Sequence, residues 1–161
     1  MIRVLIAEDE PPIQRSIKAM IERLDDTFKV TGLAGDGEQA MRLLEEGGYD
    51  VVFTDIRMPV MSGLQLMEVI QARYPDVLLV VISGYGTFEY TSHALRAHAL
   101  DYLLKPLGED ELKELLIRLK QQYLTRRRQR LQRELSAGIN RAPEGDAPGD
   151  DGQRLLVALM Q

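Results

Sequence analysis

The chain has 161 residues, of which 45% are hydrophobic and 28% charged, a composition typical of a globular domain with some additional length. It contains no cysteine, which excludes disulfides, thiolate catalysis and cysteine-based metal sites. Residues 1–117 hold 11 Lys and Arg against 20 Asp and Glu, a net charge of −9, whereas residues 118–161 hold 9 against 5, a net charge of +4. The acidic first part is therefore a poor candidate for binding nucleic-acid phosphates and is better suited to holding a cation.

Strand-like and helix-like segments alternate through the first hundred residues. Apolar and β-branched runs predict strands over residues 3–7, 28–34, 51–54, 77–82 and 101–104. Between them, helical patterns cover residues 12–24, 38–46, 64–74 and 87–97, and a long helix is predicted from residue 109. The runs at 51–53 and 77–82 are continuously apolar, as in parallel strands that are covered on both faces. We therefore predict a doubly wound α/β domain whose five-stranded parallel sheet has the flavodoxin-like order 2-1-3-4-5, with an extended C-terminal helix.

Local signals at two predicted helix starts support this division. Asp36 with Gln39, and Ser62 with Gln65, have the spacing of a capping box. No apolar run approaches the roughly 20 residues of a membrane span, and nothing near Met1 resembles a signal peptide. We therefore expect a cytoplasmic protein that has no membrane partner.

The character of the chain changes after about residue 120. We predict a globular domain over residues 1–120 and a helical extension over 121–138. Residues 139–161 form a linker rich in Pro, Gly and Asp, followed by an apolar stub over 155–160. The stub either packs back on the domain or begins an output segment that these residues do not contain, and we favour the second interpretation.

In the long final helix, Ile117, Leu124 and Leu131 recur every seven residues, with Leu135 beyond them. This spacing is that of a coiled-coil seam, which would join two copies of the chain as a homodimer on phosphorylation. The intervening seam positions are polar, however, so a solvated connector is the other interpretation.

Chemically active residues follow the predicted strands. Strand one ends in Glu8 and Asp9, strand three in Asp55, strand four in Ser83 and strand five in Lys105. Because ligands bind beyond the carboxyl ends of parallel strands, where the strand order reverses, these side chains are expected to converge. Three carboxylates at one point need a counter-charge, and oxygen ligands favour Mg²⁺.

This set of side chains suits phosphoryl transfer, which depends mainly on positioning and charge stabilisation. Asp55 can take the phosphoryl group as an acyl phosphate, Lys105 can neutralise one phosphoryl oxygen, and the hydroxyl of Ser83 can donate to another. The residues therefore predict a Mg²⁺-dependent phosphoacceptor domain with Asp55 as the acceptor. Such a domain is not an enzyme beyond its own phosphorylation and dephosphorylation.

Two enzyme classes are alternatives to this interpretation. Residues 35–40 fit the pattern G-x-G-x-x-A of a nucleotide-binding oxidoreductase, but Asp36 and Glu38 would place negative charge where a pyrophosphate must bind. Phosphatases that use an aspartyl phosphate carry a second Asp two residues after the nucleophile. Here that residue is Arg57, which cannot act as a general acid at neutral pH.

Four stretches, VLIAEDEPPI, VVFTDIRMPVMSGLQL, VVISGYGTFEY and ALDYLLKPL, resemble the receiver domain of bacterial two-component response regulators over residues 1–120. The resemblance implies that a sensor histidine kinase phosphorylates Asp55. It also implies that Glu8, Asp9, Asp55 and the main-chain carbonyl of Arg57 hold Mg²⁺. Glu8 stands where the family often has Asp, so its longer side chain is expected to reach the metal through water.

The same resemblance implies that Ser83 and Tyr102 are a switch pair, that Lys105 contacts the phosphoryl group, and that the Lys105–Pro106 peptide is cis. The stretches SGYGTFEYTSHAL and DYLLKP are most similar to the subgroup whose output is an AraC-type helix-turn-helix domain. These 161 residues contain no helix-turn-helix pattern, so DNA would be bound only by an output domain that is not present in the chain. A stand-alone receiver that signals through protein contacts is the alternative.

Overall fold

The computed structural model describes residues 1–84 and 101–139. The strands in these ranges are β1 (Ile2–Ala7), β2 (Phe28–Ala34), β3 (Val51–Asp55), β4 (Leu78–Ser83) and β5 (Asp101–Leu104). The helices are α1 (Pro11–Leu24), α2 (Gly37–Glu46), α3 (Gly63–Arg73) and α4 (Glu109–Ile139). The helix predicted over residues 87–97 lies outside the described residues.

The five strands form one parallel sheet in the order β2-β1-β3-β4-β5, which confirms the predicted fold. β1 and β3 are neighbours at the point where the order reverses, and their register pairs Ala7 with Thr54. On the other side, β3 pairs Asp55 with Ile82 of β4, and β4 pairs Ser83 with Leu104 of β5. The carboxyl ends of β1, β3, β4 and β5 are therefore aligned at one edge of the sheet.

Two apolar layers cover the faces of the sheet, because successive side chains of a strand point to opposite faces. In β3, Val51 and Phe53 pack with the buried residues of α1 and α4, whereas Val52 packs with those of α2 and α3. Every residue of β3 and β4 is buried. The continuous apolar runs therefore mark strands that are covered on both faces, as the sequence predicts.

The helix starts largely follow their predicted capping residues. Ser62 and Gln65 form a complete capping box at the start of α3. At α2, the side chain of Asp36 accepts a hydrogen bond from the Gln39 N–H at 2.8 Å, but the Gln39 side chain accepts from the N–H of Gly35. This second box is therefore displaced by one residue. α2 ends at Gly47, whose φ of 84° is unfavourable for residues with a Cβ.

The chain divides into two units, Met1–Arg126 and Arg127–Gln161. Within the first unit, α4 buries Leu112, Leu115, Leu116 and Leu119 against the sheet and α1. Within the second unit, residues 127–138 are helical and exposed. Among the described residues, no helix combines the length and apolar character that crossing a membrane requires.

The loop between β3 and α3 contains a strained residue. Val60 has a φ of 66°, and the N–H of Met61 donates to the carbonyl of Pro59 at 2.8 Å, which closes a tight turn centred on Val60. A β-branched residue at positive φ is a conformational outlier that costs about 1–2 kcal/mol. The side chain of Val60 is 76% exposed, so it gains little from packing. The surrounding contacts must therefore impose this conformation.

Replacing Val60 by Gly is expected to raise the free energy of unfolding by about 1 kcal/mol relative to Val60→Ala, because only Gly removes the Cβ that disfavours positive φ. Urea denaturation of both variants measures the difference in their free energies of unfolding. The slope of this free energy against urea concentration should be the same in both variants. Equal stabilities of Val60→Gly and Val60→Ala would show that the turn is not strained.

Candidate phosphoacceptor site

A single ammonium group joins two buried carboxylates at the carboxyl edge of the sheet. Glu8 follows β1 and is 1% exposed, and Asp55 ends β3 and is 8% exposed. The Lys105 Nζ, which follows β5, lies 2.7 Å from Glu8 Oε2 and 2.8 Å from Asp55 Oδ2. The two carboxylates are therefore within two hydrogen-bond lengths of one another, and Lys105 supplies one positive charge to both.

In this arrangement the negative charge of Glu8 is only partly offset by nearby groups. Its Oε1 accepts from the N–H of Glu10 at 3.3 Å, whereas the buried Oε2 contacts the Lys105 ammonium without the geometry of a hydrogen bond. Burial, with repulsion from Asp55 and only partial relief from Lys105, raises the pKa of Glu8 to about 7. Burial works against the charge of Lys105, but the hydrogen bond to Asp55 and the attraction of both carboxylates outweigh it and raise the pKa of Lys105 above its usual value.

The carboxylates beside this pair fit a hard divalent cation. One carboxylate oxygen from each of Glu8, Asp9 and Glu10 lies within 4.8 Å of the other two. All the donors are oxygen, the set is strongly anionic, and the buried Oε2 of Glu8 lacks a hydrogen-bond donor. These features match the ligands that Mg²⁺ prefers. Glu10 is a member of this cluster that the sequence analysis did not single out, although it is the last acid of the run Glu8-Asp9-Glu10.

The remaining predicted residues lie around an open cleft of about 340 Å³. Its lining includes Asp9, Glu10, Asp55, Arg57, Ser83 and Lys105. The N–H of Arg57 approaches Asp55 Oδ1 at 3.4 Å, and the hydroxyl of the buried Ser83 donates to the carbonyl of Gly84 at 3.1 Å. Asp55 therefore opens on a cleft whose walls carry an ammonium, a hydroxyl and several carboxylates.

The ends of β4 and β5 are joined beside this cleft. The backbone N–H of Lys105 donates to the carbonyl of Ser83 at 2.7 Å, and the predicted cis peptide between Lys105 and Pro106 is present. The backbone therefore sets Ser83 and Lys105 side by side, as the aligned strand ends predict.

Tyr102 lies apart from the other predicted residues. It is paired with Val81 in the sheet, is half-buried, and packs against the apolar layer that contains Leu79 and Val81. Its backbone N–H donates to Asp101 Oδ1 at 2.7 Å. Tyr102 is therefore separated from the strand of Asp55 by β4, the strand that carries Ser83.

Gly63 positions Asp55, and the sequence analysis did not assign it this role. A Cβ on Gly63 would lie 1.7 Å from the carbonyl oxygen of Asp55, so only Gly allows α3 to approach this closely. The N–H of Gly63 donates to the carbonyl of Ile56 at 2.8 Å, and the hydroxyl of Thr54 donates to the Asp55 carbonyl at 2.9 Å. The backbone around Asp55 is therefore held by α3 and by a buried hydroxyl.

Comparison with known proteins identifies relatives of this site and fold. Residues 4–117 match the family model of the response regulator receiver domain. A response regulatory protein of Staphylococcus epidermidis is 36% identical over 126 residues, which cover 78% of this chain and 49% of that protein. The transcriptional regulatory protein HptR of Staphylococcus aureus is 36% identical over 119 residues, covering 74% of this chain and 46% of HptR. The chain thus spans about half the length of these relatives.

The solved structures that resemble this chain also include response regulators and their receiver domains. The receiver domain of the response regulator AraT from Geobacillus stearothermophilus is 36% identical, with a TM-score of 0.73, covering 78% of this chain and 97% of that one. A DNA-binding response regulator of the LuxR family from Staphylococcus aureus is 26% identical, with a TM-score of 0.69. The match covers 74% of this chain and 98% of that one. The chain belongs to the response regulator receiver family.

Proposed function

We propose that this receiver accepts a phosphoryl group on Asp55 from a sensor histidine kinase in a Mg²⁺-dependent reaction, and that the resulting switch controls an output acting in transcription. The observation that carries the proposal is the Lys105 ammonium between the carboxylates of Asp55 and Glu8, 2.8 Å and 2.7 Å away. An acceptor carboxylate needs a fixed cation beside it before a phosphoryl dianion can approach. In this proposal, Lys105 supplies that cation.

The chemical step is an in-line displacement at phosphorus. An Asp55 carboxylate oxygen attacks the phosphorus of a phosphohistidine, an O–P bond forms, and the N–P bond breaks with the electron pair returning to the imidazole nitrogen. Lys105 then stabilises a phosphoryl oxygen by charge, and the Ser83 hydroxyl turns from the Gly84 carbonyl to donate to another. Positioning and charge stabilisation are what phosphoryl transfer requires of a protein.

A metal would be held among the carboxylates of Glu8, Asp9 and Asp55 and the main-chain carbonyl of Arg57. Glu10 is close enough to take part, directly or through water. When bound, Mg²⁺ supplies positive charge that offsets the charge of the incoming phosphoryl group. The protein contributes the oxygen ligands, among them a buried oxygen of Glu8 whose contact with the Lys105 ammonium lacks the geometry of a hydrogen bond.

An apolar groove supports the approach of a protein donor. The groove, of about 580 Å³, lies beside Lys105 and is lined by Pro12, Ile13 and Met20 of α1 and by Pro106 and Leu107. Exposed apolar surface that is rimmed by polar residues is typical of sites where another protein binds. A kinase seated here would bring its phosphohistidine to the edge of the sheet where Asp55 lies.

We assign residues 1–120 to the receiver, 121–138 to a helical connector, and 139–161 to a linker and the start of an output segment. Two observations support an output beyond the receiver: the relatives are about twice as long as the match, and HptR is named a transcriptional regulatory protein. DNA would then be bound by an output domain such as the AraC type. A receiver that signals by protein contacts alone is the alternative, and a DNA-binding assay of the natural full-length protein distinguishes the two.

Transmission is proposed to run from Ser83 to Tyr102. Rotation of the Ser83 hydroxyl toward the phosphoryl group would change the space beside β5, where Tyr102 would move from half-buried to buried. Since a ligand shifts an equilibrium only by binding two states differently, the unphosphorylated protein should already sample the active state. The conformation of the surface formed by β5 and α4 would then depend on the charge at Asp55.

Incubation with acetyl phosphate and Mg²⁺ is expected to add one phosphate to the chain, because Asp55 is the acceptor. Intact mass spectrometry measures the label, which should be lost in Asp55→Asn and retained in Asp76→Asn, a matched change at an exposed loop residue. Undiminished labelling of Asp55→Asn would contradict the assignment.

Replacing Asp9 by Ala is expected to weaken Mg²⁺ binding by about tenfold or more and to slow phosphorylation, because one of few charged ligands is removed. Calorimetric titration with Mg²⁺ measures the affinity, and circular dichroism verifies that the fold is intact. Asp26→Ala, at an exposed residue away from the cleft, should bind Mg²⁺ like the unchanged protein. If Asp9→Ala does so too, Asp9 is not a ligand.

Hydrogen exchange with and without beryllium fluoride, a phosphoryl mimic, is expected to change along residues 83–102 and in α4, because these segments follow the movement of Ser83. Exchange in α2 serves as the internal control and should be unaffected. A change confined to the residues next to Asp55 would disprove this route of transmission.

A further inference from the structure

Within the second unit, residues 127–138 are helical and all of them are exposed. This segment holds four arginines, Arg127, Arg128, Arg130 and Arg133, and one acid, Glu134, a net charge of +3. Residues 1–117, in contrast, carry a net charge of −9. Acidic or mixed charges would keep a helix solvated equally well, so solvation does not account for the excess of positive charge.

Three of the arginines lie on one side of the helix. Because an α-helix has 3.6 residues per turn, Arg127, Arg130 and Arg133 fall within an arc of about 120° and extend over about 9 Å of its axis. These three residues are termed the basic face. Leu131 and Leu135 lie on the roughly opposite side, so no large apolar side chain interrupts the basic face.

The charges of the basic face are weakly compensated. In the described part of the chain, its ion pair joins Arg130 Nε to Glu134 Oε1 at 3.3 Å, and both side chains are more than half exposed. An exposed pair of this kind contributes little. Arginines three residues apart on a helix repel one another. An anion bound to the basic face would therefore relieve this repulsion and also accept charge-assisted hydrogen bonds.

Neutral hydrogen-bond donors lie beside the basic face. Gln129, Gln132 and Ser136 line an open groove of about 450 Å³ together with Arg133. Amide, hydroxyl and guanidinium groups are side chains that contact phosphate oxygens in protein–DNA complexes. The groove therefore extends the set of donors that a phosphate-bearing partner requires.

We propose that the basic face binds the phosphate backbone of double-stranded DNA without reading its sequence. A duplex carries one negative charge per about 1.7 Å of its axis, so the length of the basic face corresponds to about five phosphate charges. Planar guanidinium groups pair with phosphate through two parallel hydrogen bonds. This inference goes beyond the proposed function, in which DNA is bound only by an output domain. It rests on that function in one respect, because an output in transcription makes DNA the relevant anionic polymer.

The position of the leucines favours DNA over an anionic membrane. A basic helix on a membrane inserts its apolar side among the lipids while its basic residues contact the headgroups. Leu131 and Leu135 are the only large apolar residues of the segment 127–138, and they lie away from Arg130. Inserting them would turn the basic face away from the headgroups, whereas DNA bound to the basic face leaves the leucines in water.

Fluorescence anisotropy of a labelled DNA duplex, titrated with the 161-residue chain at several salt concentrations, tests the proposal. For three phosphate contacts, the logarithm of the association constant should fall against the logarithm of salt concentration with a slope of about −3. In the variant Arg127→Gln, Arg130→Gln, Arg133→Gln, the affinity at low salt should fall at least about tenfold and the slope should approach zero. Circular dichroism verifies that the variant keeps the fold.

The matched control, Arg15→Gln, Arg42→Gln, Arg73→Gln, removes the same charge from exposed residues of the first unit and should bind DNA like the unchanged chain. Equal losses in the two triple variants would overturn the proposal, as would the absence of salt-dependent binding by the unchanged chain. Binding to phosphatidylserine vesicles without binding to DNA would overturn it as well.

Failure of this proposal can be told apart from failure of the proposed function. The residues changed in the two triple variants are not among the described residues that line the Asp55 cleft. Labelling by acetyl phosphate should therefore be the same in both variants and in the unchanged chain.

Discussion

The site depends on one electrostatic constraint: two carboxylates are buried side by side, and one ammonium lies between them. Glu8 and Asp55 must be close, because β1 and β3 are neighbours in the sheet and both end at the same edge. In surroundings of low polarity, like charges at this distance are costly unless a cation offsets them. Lys105 offsets one negative charge, so the edge keeps an excess of negative charge that favours binding a further cation.

The fold brings the groups that meet this constraint together, because it places distant parts of the chain at one edge of the sheet. Lys105 reaches Asp55 only because β5 pairs with β4, and the bond from the Lys105 N–H to the Ser83 carbonyl fixes the end of β5 against the end of β4. α3 approaches the Asp55 carbonyl through Gly63, where no Cβ intervenes. The Asp55 carboxylate therefore faces the cleft from a backbone that is held on several sides, which is what preorganised electrostatic stabilisation requires.

The sequence predicted the strands, the sheet order and the residues at the strand ends, because continuous apolar runs and alternating βα units leave few topologies. The observed bounds differ from the predicted ones by one residue in places: β4, for example, is Leu78–Ser83 instead of 77–82. Some features were missed because they depend on tertiary approach. The contact of Gly63 with Asp55 arises from packing, which residue spacing along the chain does not reveal. The positive φ of Val60 and the bond from Gly35 to Gln39 are local, but they depend on backbone conformations that residue types alone do not specify. Glu10 was passed over because an exposed acid in a loop carries no signal of its own.

In the proposed function, the Lys105 ammonium beside Asp55 is placed to receive a phosphoryl group. A crystal structure of the chain with Mg²⁺ and beryllium fluoride would test this placement, because beryllium fluoride mimics a phosphoryl group on a carboxylate. We expect the mimic bonded to an Asp55 carboxylate oxygen, Lys105 Nζ within hydrogen-bond distance of a fluorine, and a metal held by Asp9 and Asp55. A structure in which Lys105 still joins Glu8 to Asp55, with the mimic bound elsewhere, would contradict it.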